Sequence, residues 1–402
     1  MSIFKEGHQL RLLVGSSAYF AALGDAMDAA EREVRLETYI FDFTASGQEV
    51  AQSLIRAASR GVKVYLLMDG AGSEHLPPEW LARFDAAGVQ WRIYNPLGRF
   101  GLLIPSQWRR LHRKLCVVDG GLPKAVGFCG GINVLDDFYD PNHGALQQPR
   151  FDFAVRVEGA LVTDIFEATQ SLWLRQNAFV KMRERARVSF GNALMPRPQS
   201  VSPLGHSFAK AALLLRDNVR NRRRIETAYL VAIAQASQEI IIANAYFLPG
   251  GKLRKALLAA AARGVKVKLL LQGRYEYFMQ YHAARPVYAA LLAAGIEIHE
   301  YAASFLHAKV AVVDAYSGAA WATVGSSNLD PLSLLLAREA NLVVQDGAFA
   351  RDLRERLCGA MEDGGKRVLA EDFANRPWQQ RLLDKLAFGL MRSALFFTGR
   401  HY

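Results

Sequence analysis

Two stretches of one chain carry the same three ionisable residues at the same spacing. LHRKLCVVDG at 111–120 holds His112, Lys114 and Asp119, and LHAKVAVVDA at 306–315 holds His307, Lys309 and Asp314. An imidazole can attack an electrophile or move a proton near neutral pH. A lysine supplies fixed positive charge for an anion whose charge grows during reaction. A single His beside a single Lys is commonplace as a partly buried pair, but two copies offer two imidazoles that can hold opposite proton states. That combination suits a phosphodiester. One ring attacks phosphorus while the other protonates the departing oxygen, and the second ring then acts as base on an incoming hydroxyl. The intermediate is a phosphohistidine. Lys114 and Lys309, with Asn133, Asn328, Ser326 and Ser327 just beyond the motifs, are expected to neutralise the non-bridging oxygens.

Side chains two apart on a strand share a face, so each His points the same way as its Lys, while Asp119 and Asp314 fall on the other parity at the strand's end. An Asp-to-His bond within one motif is therefore geometrically disfavoured. Asp152 in PRFDFAVRVEG and Glu339 in AREANLVV begin the next strand of each half and are the candidates for holding a His Nδ1. A structural zinc site wants a denser cluster of His, Cys or carboxylate, and the Lys two residues from each His would repel a dication. No metal and no cofactor is expected.

The elements that must position these residues are also written twice. EVRLETYIFDF (33–43) is answered by EIIIANAYFLP (239–249), RGVKVYLLMDG (60–70) by RGVKVKLLLQG (263–273), and AAGVQWRIY (86–94) by AAGIEIHEY (293–301). Gly61 and Gly264 have the position of helix C-caps, each leading at once into a β-branched strand. Each motif is followed by a Gly-rich turn, GFCGGINVLDD at 127–137 and VGSSNLDPLS at 324–333. The pattern predicts an α/β fold: two duplicated halves around mainly parallel sheets, packed as a pseudo-two-fold sandwich with the active site at their interface. The expected boundaries are 1–194 for the first half, a Pro-rich linker at 195–206, 207–375 for the second half, and an amphipathic C-terminal segment at 376–402.

Composition narrows the partners. The chain has 402 residues, 51% hydrophobic and 22% charged, with a formal net charge of +11. That is globular, long enough for two cores, and inclined toward an anionic partner, either nucleic acid or an acidic bilayer surface. Cys116, Cys129 and Cys358 form no CxxC pair, which argues against a disulfide framework and fits a reducing compartment. MSIFKEGHQLRLLV contains no long apolar core of a secretory signal, and no window offers eighteen uninterrupted apolar residues.

HxKxxxxD written twice, each copy followed by G-[GS]-x-N, resembles the phospholipase D superfamily. Gly130–Gly131–Ile132–Asn133 and Gly325–Ser326–Ser327–Asn328 complete the two signatures. Within the superfamily the chain is most similar to the shorter bacterial cardiolipin synthases that lack N-terminal transmembrane helices. The phrases carrying that likeness include LETYIFDF, IIIANAYFLPG and ATVGSSNLDPLSLLLAREANL. The resemblance implies metal-independent phosphatidyl transfer between two phosphatidylglycerol molecules through a phosphohistidine, with His112 as nucleophile and His307 as acid, although the symmetry of the halves leaves those roles open. It also places the orienting carboxylate downstream of each motif. The turn at 315–324, AYSGAAWATV, is longer than the basic superfamily spacing, and VLDDFYDPNHGALQQP after Asn133 has the look of a pocket-shaping loop. Relatives that use phosphatidylethanolamine or free glycerol, a phospholipase D-type hydrolase, a nuclease and an inactive membrane scaffold are the competing readings.

An anionic phospholipid bilayer is the expected partner, with a peripheral place on the cytoplasmic side of a bacterial inner membrane. RFGLLIPSQWRRLH (99–112) and QRLLDKLAFGLMRSALFF (380–397) mix cations with Leu, Phe and Trp, as interfacial anchors do, although the second is equally compatible with a helix packed on the core. RNRRRIE (220–226) reads as a solvated helix face. The basic residues are interleaved with apolar ones rather than gathered into a polar stripe, so no nucleic acid is expected as partner. Protein partners leave no readable mark.

Overall fold

Alternation of β-branched strands with Ala- and Leu-rich helices gives two compact units, each containing both parallel and antiparallel strand pairs. A computed structural model describes residues 4–74, 76–96, 108–140, 143–184, 209–217, 221–274, 278–330 and 337–397. The linker predicted at 195–206 and most of the cationic stretch at 99–112 lie outside the described residues.

The first unit comprises residues 1–136 and 154–213. Its elements are β1 (Lys5–Val14), α1 (Gly15–Asp28), β2 (Glu33–Thr38), α2 (Ala45–Ser59), β3 (Lys63–Asp69), α3 (Pro78–Ala87), β4 (Gln90–Tyr94), β5 (Lys114–Val118), β6 (Val126–Gly130), β7 (Phe153–Glu158), α4 (Leu161–Glu184) and the first five residues of β8 (Ala209–Arg216). The order across the sheet is β8-β1-β7-β6-β5-β2-β3-β4. Strands β2, β3 and β4 are parallel, with Leu36 opposite Leu66 and Met68 opposite Ile93. Strand β5 runs antiparallel to both β2 and β6.

The second unit holds residues 137–153 and 214–402. It runs α5 (Arg224–Gln235), β9 (Glu239–Asn244), α6 (Gly251–Ala262), β10 (Lys266–Gln272), α7 (Phe278–Ala293), β11 (Glu297–Tyr301), β12 (Lys309–Val313), β13 (Trp321–Gly325), β14 (Ala337–Gln345), α8 (Gly347–Gly364), β15 (Gly365–Arg367) and α9 (Trp378–Phe397). Its sheet order is β15-β11-β10-β9-β12-β13-β14, which repeats the plan of the first unit. Again β9, β10 and β11 are parallel, and the motif strand β12 is antiparallel to both neighbours.

One expectation is corrected. The sheets are mixed rather than mainly parallel: strands joined through helices lie parallel, but the motif strands are joined to the next strand by short turns, and a short turn permits only antiparallel pairing. The segment 137–153, which follows the first motif, groups with the second unit.

The phrase RGVKV works as predicted. Gly61 and Gly264 adopt φ of +90° and +87°. Val62 N–H reaches Ala57 O at 3.2 Å, and Val265 N–H reaches Ala260 O at 3.1 Å. Each glycine thus closes its helix in the left-handed conformation and turns the chain into β3 or β10. The first core packs Leu36, Val64 and Leu66 of the sheet against Leu23, Met27, Leu54 and Phe84 of the helices.

Candidate active site

In the first unit, β5 is buried on both faces and starts at Lys114. The residues leading into it are fixed by Asp69 at the end of β3. Its carboxylate accepts from Leu111 N–H at 2.6 Å and from Arg110 Nη1 at 3.1 Å, while Arg110 Nη2 donates to Asn95 O at 3.0 Å. Burial raises the pKa of Asp69, opposed by the Arg110 charge and by the N–H groups of Leu111, Ala71 and Gly72. His112 is thereby delivered with its ring 5.0 Å from the ring of Tyr39. Lys114 is 1% exposed; its Nζ donates to His112 O at 2.7 Å and lies 5.4 Å from the Tyr39 ring centre. Between them Arg113 turns the other way, into a buried ion pair with Glu37 (Nη2 to Oε1, 2.9 Å).

The second unit repeats the arrangement with different side chains. Leu306 N–H donates to Gln272 Oε1 at 3.2 Å, where the first unit has Asp69. His307 Nδ1 lies 2.6 Å from Asp152 Oδ2. An ionised carboxylate there requires Nδ1 to carry the hydrogen, which leaves Nε2 as the reactive nitrogen. Lys309 is fully buried, donates through Nζ to His307 O, and stands 3.9 Å from Asp152 Oδ2. The backbone carrying Asp152 runs beside the His strand. Phe151 N–H donates to Phe305 O at 2.9 Å, and His307 N–H donates to Phe151 O at 3.0 Å. This is why 137–153 groups with the second unit. Asp152, which follows the first motif in sequence, thus meets the imidazole of the second.

Asp119 and Asp314 do not join the His and Lys. Each sits at the far end of its motif strand with positive φ, +53° and +49°. Asp119 accepts from the N–H groups of Glu31, Arg32 and Glu33 at 2.7–2.9 Å. Asp314 accepts from those of Ser237, Gln238 and Glu239, each at 2.8 Å. Burial alone would raise the Asp314 pKa, but these backbone donors outweigh it and hold the carboxyl below its ordinary value. The motif's last position needs a residue that tolerates the left-handed region and accepts several N–H bonds, and Asp meets both needs. Its work is to lock the turn after the strand, so it positions the site and is not placed to touch a substrate at the His.

The remaining predicted residues brace the same ends. Asn133 Oδ1 accepts from Ile40 N–H at 3.2 Å. In the second unit the tie is made from the opposite side, Asn244 Oδ1 accepting from Leu329 N–H at 3.1 Å beside the buried Asn328. Ser326 Oγ donates to Glu339 Oε2 and accepts from Ala340 N–H at 3.1 Å, and both side chains are fully buried. Gly325 leaves no room for a side chain: a Cβ would lie 2.3 Å from Asn341 Cγ. Tyr39, Asp69 and Gln272 were missed from the sequence. The aligned phrases LLMDG and LLLQG, each with a polar residue ahead of the glycine at a strand's end, were the signal that could have found the last two.

Comparison with known proteins agrees with this plan. A family model described as "Cardiolipin synthase, PLD-like domain" matches residues 23–146 and 229–359, once in each half. The chain is 37% identical over 97% of its length to cardiolipin synthase B of Salmonella typhi, of which it covers 89%. It is 36% identical, over the same shares, to cardiolipin synthase B of Escherichia coli K12. Among solved structures, phosphatidylserine synthase of Haemophilus influenzae shares the fold with a TM-score of 0.68 at 13% identity, over 97% of this chain and 94% of that one.

Proposed function

The chain belongs to the family of phospholipase D-like cardiolipin synthases, and from that membership we propose that it is a phosphatidyltransferase joining two phosphatidylglycerol molecules into cardiolipin. The observation that carries the mechanism is the 2.6 Å contact between His307 Nδ1 and Asp152, with a buried lysine on the same strand end. A carboxylate at Nδ1 stabilises the imidazolium, so His307 suits the group that first gives and then takes a proton. His112, packed on Tyr39 with Lys114 beneath its carbonyl, is the nucleophile in this reading.

In the first step His112 Nε2 attacks phosphorus, the bond to the glycerol headgroup breaks, and His307 protonates the departing oxygen. In the second step His307 removes the proton from a hydroxyl of another phosphatidylglycerol, whose oxygen attacks phosphorus and frees His112. Two phosphatidylglycerols become cardiolipin plus glycerol, and the enzyme returns to its starting proton state. Lys114 and Lys309 offset charge on the non-bridging oxygens. Asn133 Oδ1 is occupied by Ile40 N–H, so its amide hydrogens are the groups offered to phosphate, with Asn328 as the counterpart. Glu339 has the orienting role opposite to that of Asp152. Among the described residues no helix is long and apolar enough to cross a membrane. The substrates therefore define the location in this reading: a peripheral enzyme at the cytoplasmic face of the inner membrane.

Purified protein incubated with phosphatidylglycerol vesicles should yield cardiolipin and glycerol, resolved by lipid chromatography. His112→Ala and His307→Ala should each abolish product while leaving the fold intact, and EDTA should have no effect. Phosphatidic acid as sole product would make the protein a hydrolase. Full activity in either histidine variant would remove that residue from the mechanism.

A further inference from the structure

Helix α9 packs on α7 through a buried polar lock. Asp384 is 2% exposed. Its Oδ1 lies 2.6 Å from His282 Nδ1 and its Oδ2 lies 3.0 Å from Arg376 Nη1. Ala387 is buried beside it, and the Arg376 guanidinium lies 3.7 Å over the ring of Phe373. A carboxylate with these partners cannot rotate outward without stranding them, so the rotation of the helix about its axis is fixed.

That fixed rotation has a consequence on the opposite side. Trp378, Leu382, Leu386 and Leu390 recur every four residues and are 65%, 48%, 57% and 63% exposed. Over twelve residues the row runs for about 18 Å along the helix. Arg381 and Lys385 are exposed between its members. The acid of the segment 378–390 is Asp384, which is turned inward, so the outward side carries aliphatic carbon, an indole and cations without an opposing carboxylate. A continuous apolar row of this kind on a water-soluble surface marks an interaction site.

We propose that this row is the surface by which the protein docks on an anionic bilayer, with Trp378, Leu382, Leu386 and Leu390 in the acyl boundary and Arg381 and Lys385 at the headgroup phosphates. The proposal rests on the reading above that the substrates are bilayer lipids. The charge pattern selects the occupant. A second copy of the chain would set cations against cations, whereas anionic headgroups complement Arg381 and Lys385, and a row of leucines ending in Trp matches the interfacial depth profile.

The test is co-sedimentation of the full chain with vesicles of equimolar phosphatidylglycerol and phosphatidylcholine, and with phosphatidylcholine alone. Leu382→Glu combined with Leu386→Glu should weaken binding to the anionic vesicles at least about tenfold. Circular dichroism and melting temperature should be unchanged, because both sites are exposed. Arg381→Glu combined with Lys385→Glu should erase the preference for anionic over zwitterionic vesicles. The proposal is overturned if the leucine variant binds as the wild type does. It is equally overturned if that variant melts markedly earlier, or if the wild type is a dimer that the variant splits. A parallel cardiolipin assay on the wild type separates the two readings. Variant-sensitive vesicle binding without any product supports the docking surface and removes the catalytic reading. Product with variant-insensitive binding removes the surface alone.

Discussion

The two motif strands share the same strand neighbours, directions and register and are supported by different chemistry. Behind His112 the first unit uses charge: Arg113 on Glu37, and Arg110 with Leu111 N–H on Asp69. The second unit, at the same positions, has Ala308 with Ala243, and Phe305 with the neutral amide of Gln272. The Asp brackets, the buried lysines donating to the His carbonyls, and the cap glycines are the same in both. Duplicated sequence has therefore kept what fixes the backbone and the lysine, and has been free to rewrite what fills the space behind. A buried ion pair and a pair of alanines both solve that second problem, because burial demands only that charges be paired or absent.

The sharpest way to break the comparison is to leave one charge alone. Arg113→Ala strands Glu37 in a site where both partners are nearly inaccessible, and should cost about 3–5 kcal/mol in denaturant unfolding. Glu37→Ala combined with Arg113→Ala copies the second unit and should recover part of that loss. If the double variant costs the sum of the singles, the pair is not an alternative to the alanines and the comparison fails.

Next in size is the His support. Asp152→Asn should lower kcat about a hundredfold or more with little change in KM, and should shift the pH profile, since the imidazolium of His307 loses its counter-charge. An unchanged pH profile would show that the contact only packs.

The Asp bracket offers a smaller effect with a defined sign. The folded-state pKa of Asp314 is lowered by backbone donors. Its contribution is complete above the unfolded carboxyl value of about 3.9 and fades as pH falls through the folded value. Asp314→Asn tolerates the left-handed φ but accepts with one oxygen fewer, and should cost about 1.5–3 kcal/mol at neutral pH. The gap to wild type should close in strong acid. A gap that stays constant down to low pH would contradict the assignment.

The smallest test is the most symmetric. Gly61→Ala and Gly264→Ala each meet open space, so the cost is purely that of a left-handed φ, about 1 kcal/mol in either unit. Unequal costs would mean that the two backbones differ more than their dihedral angles show.

Much of this was legible in the chain itself. RGVKV foretold a helix end and a strand because Gly caps and β-branched runs act over five or six residues. HxKxxxxD told its own local geometry, since period two puts His and Lys on one face and the Asp at the turn. The sheet's strand directions were misjudged, because the rule that helices join parallel strands was extended to strands joined by short turns.

The sequence by itself determined that the protein is written twice, that each copy ends a strand in a bracketed turn, and that each offers one imidazole above one lysine. Only the tertiary structure decided which groups meet: Asp152 reaches His307 across 155 residues, Glu37 reaches Arg113 across 76, and Asp384 turns α9 so that its leucines face outward. The physical reason is that periodicity and capping are fixed by neighbours in the chain. Which carboxylate lies beside which base is fixed instead by strand order and helix packing, and these depend on every element at once.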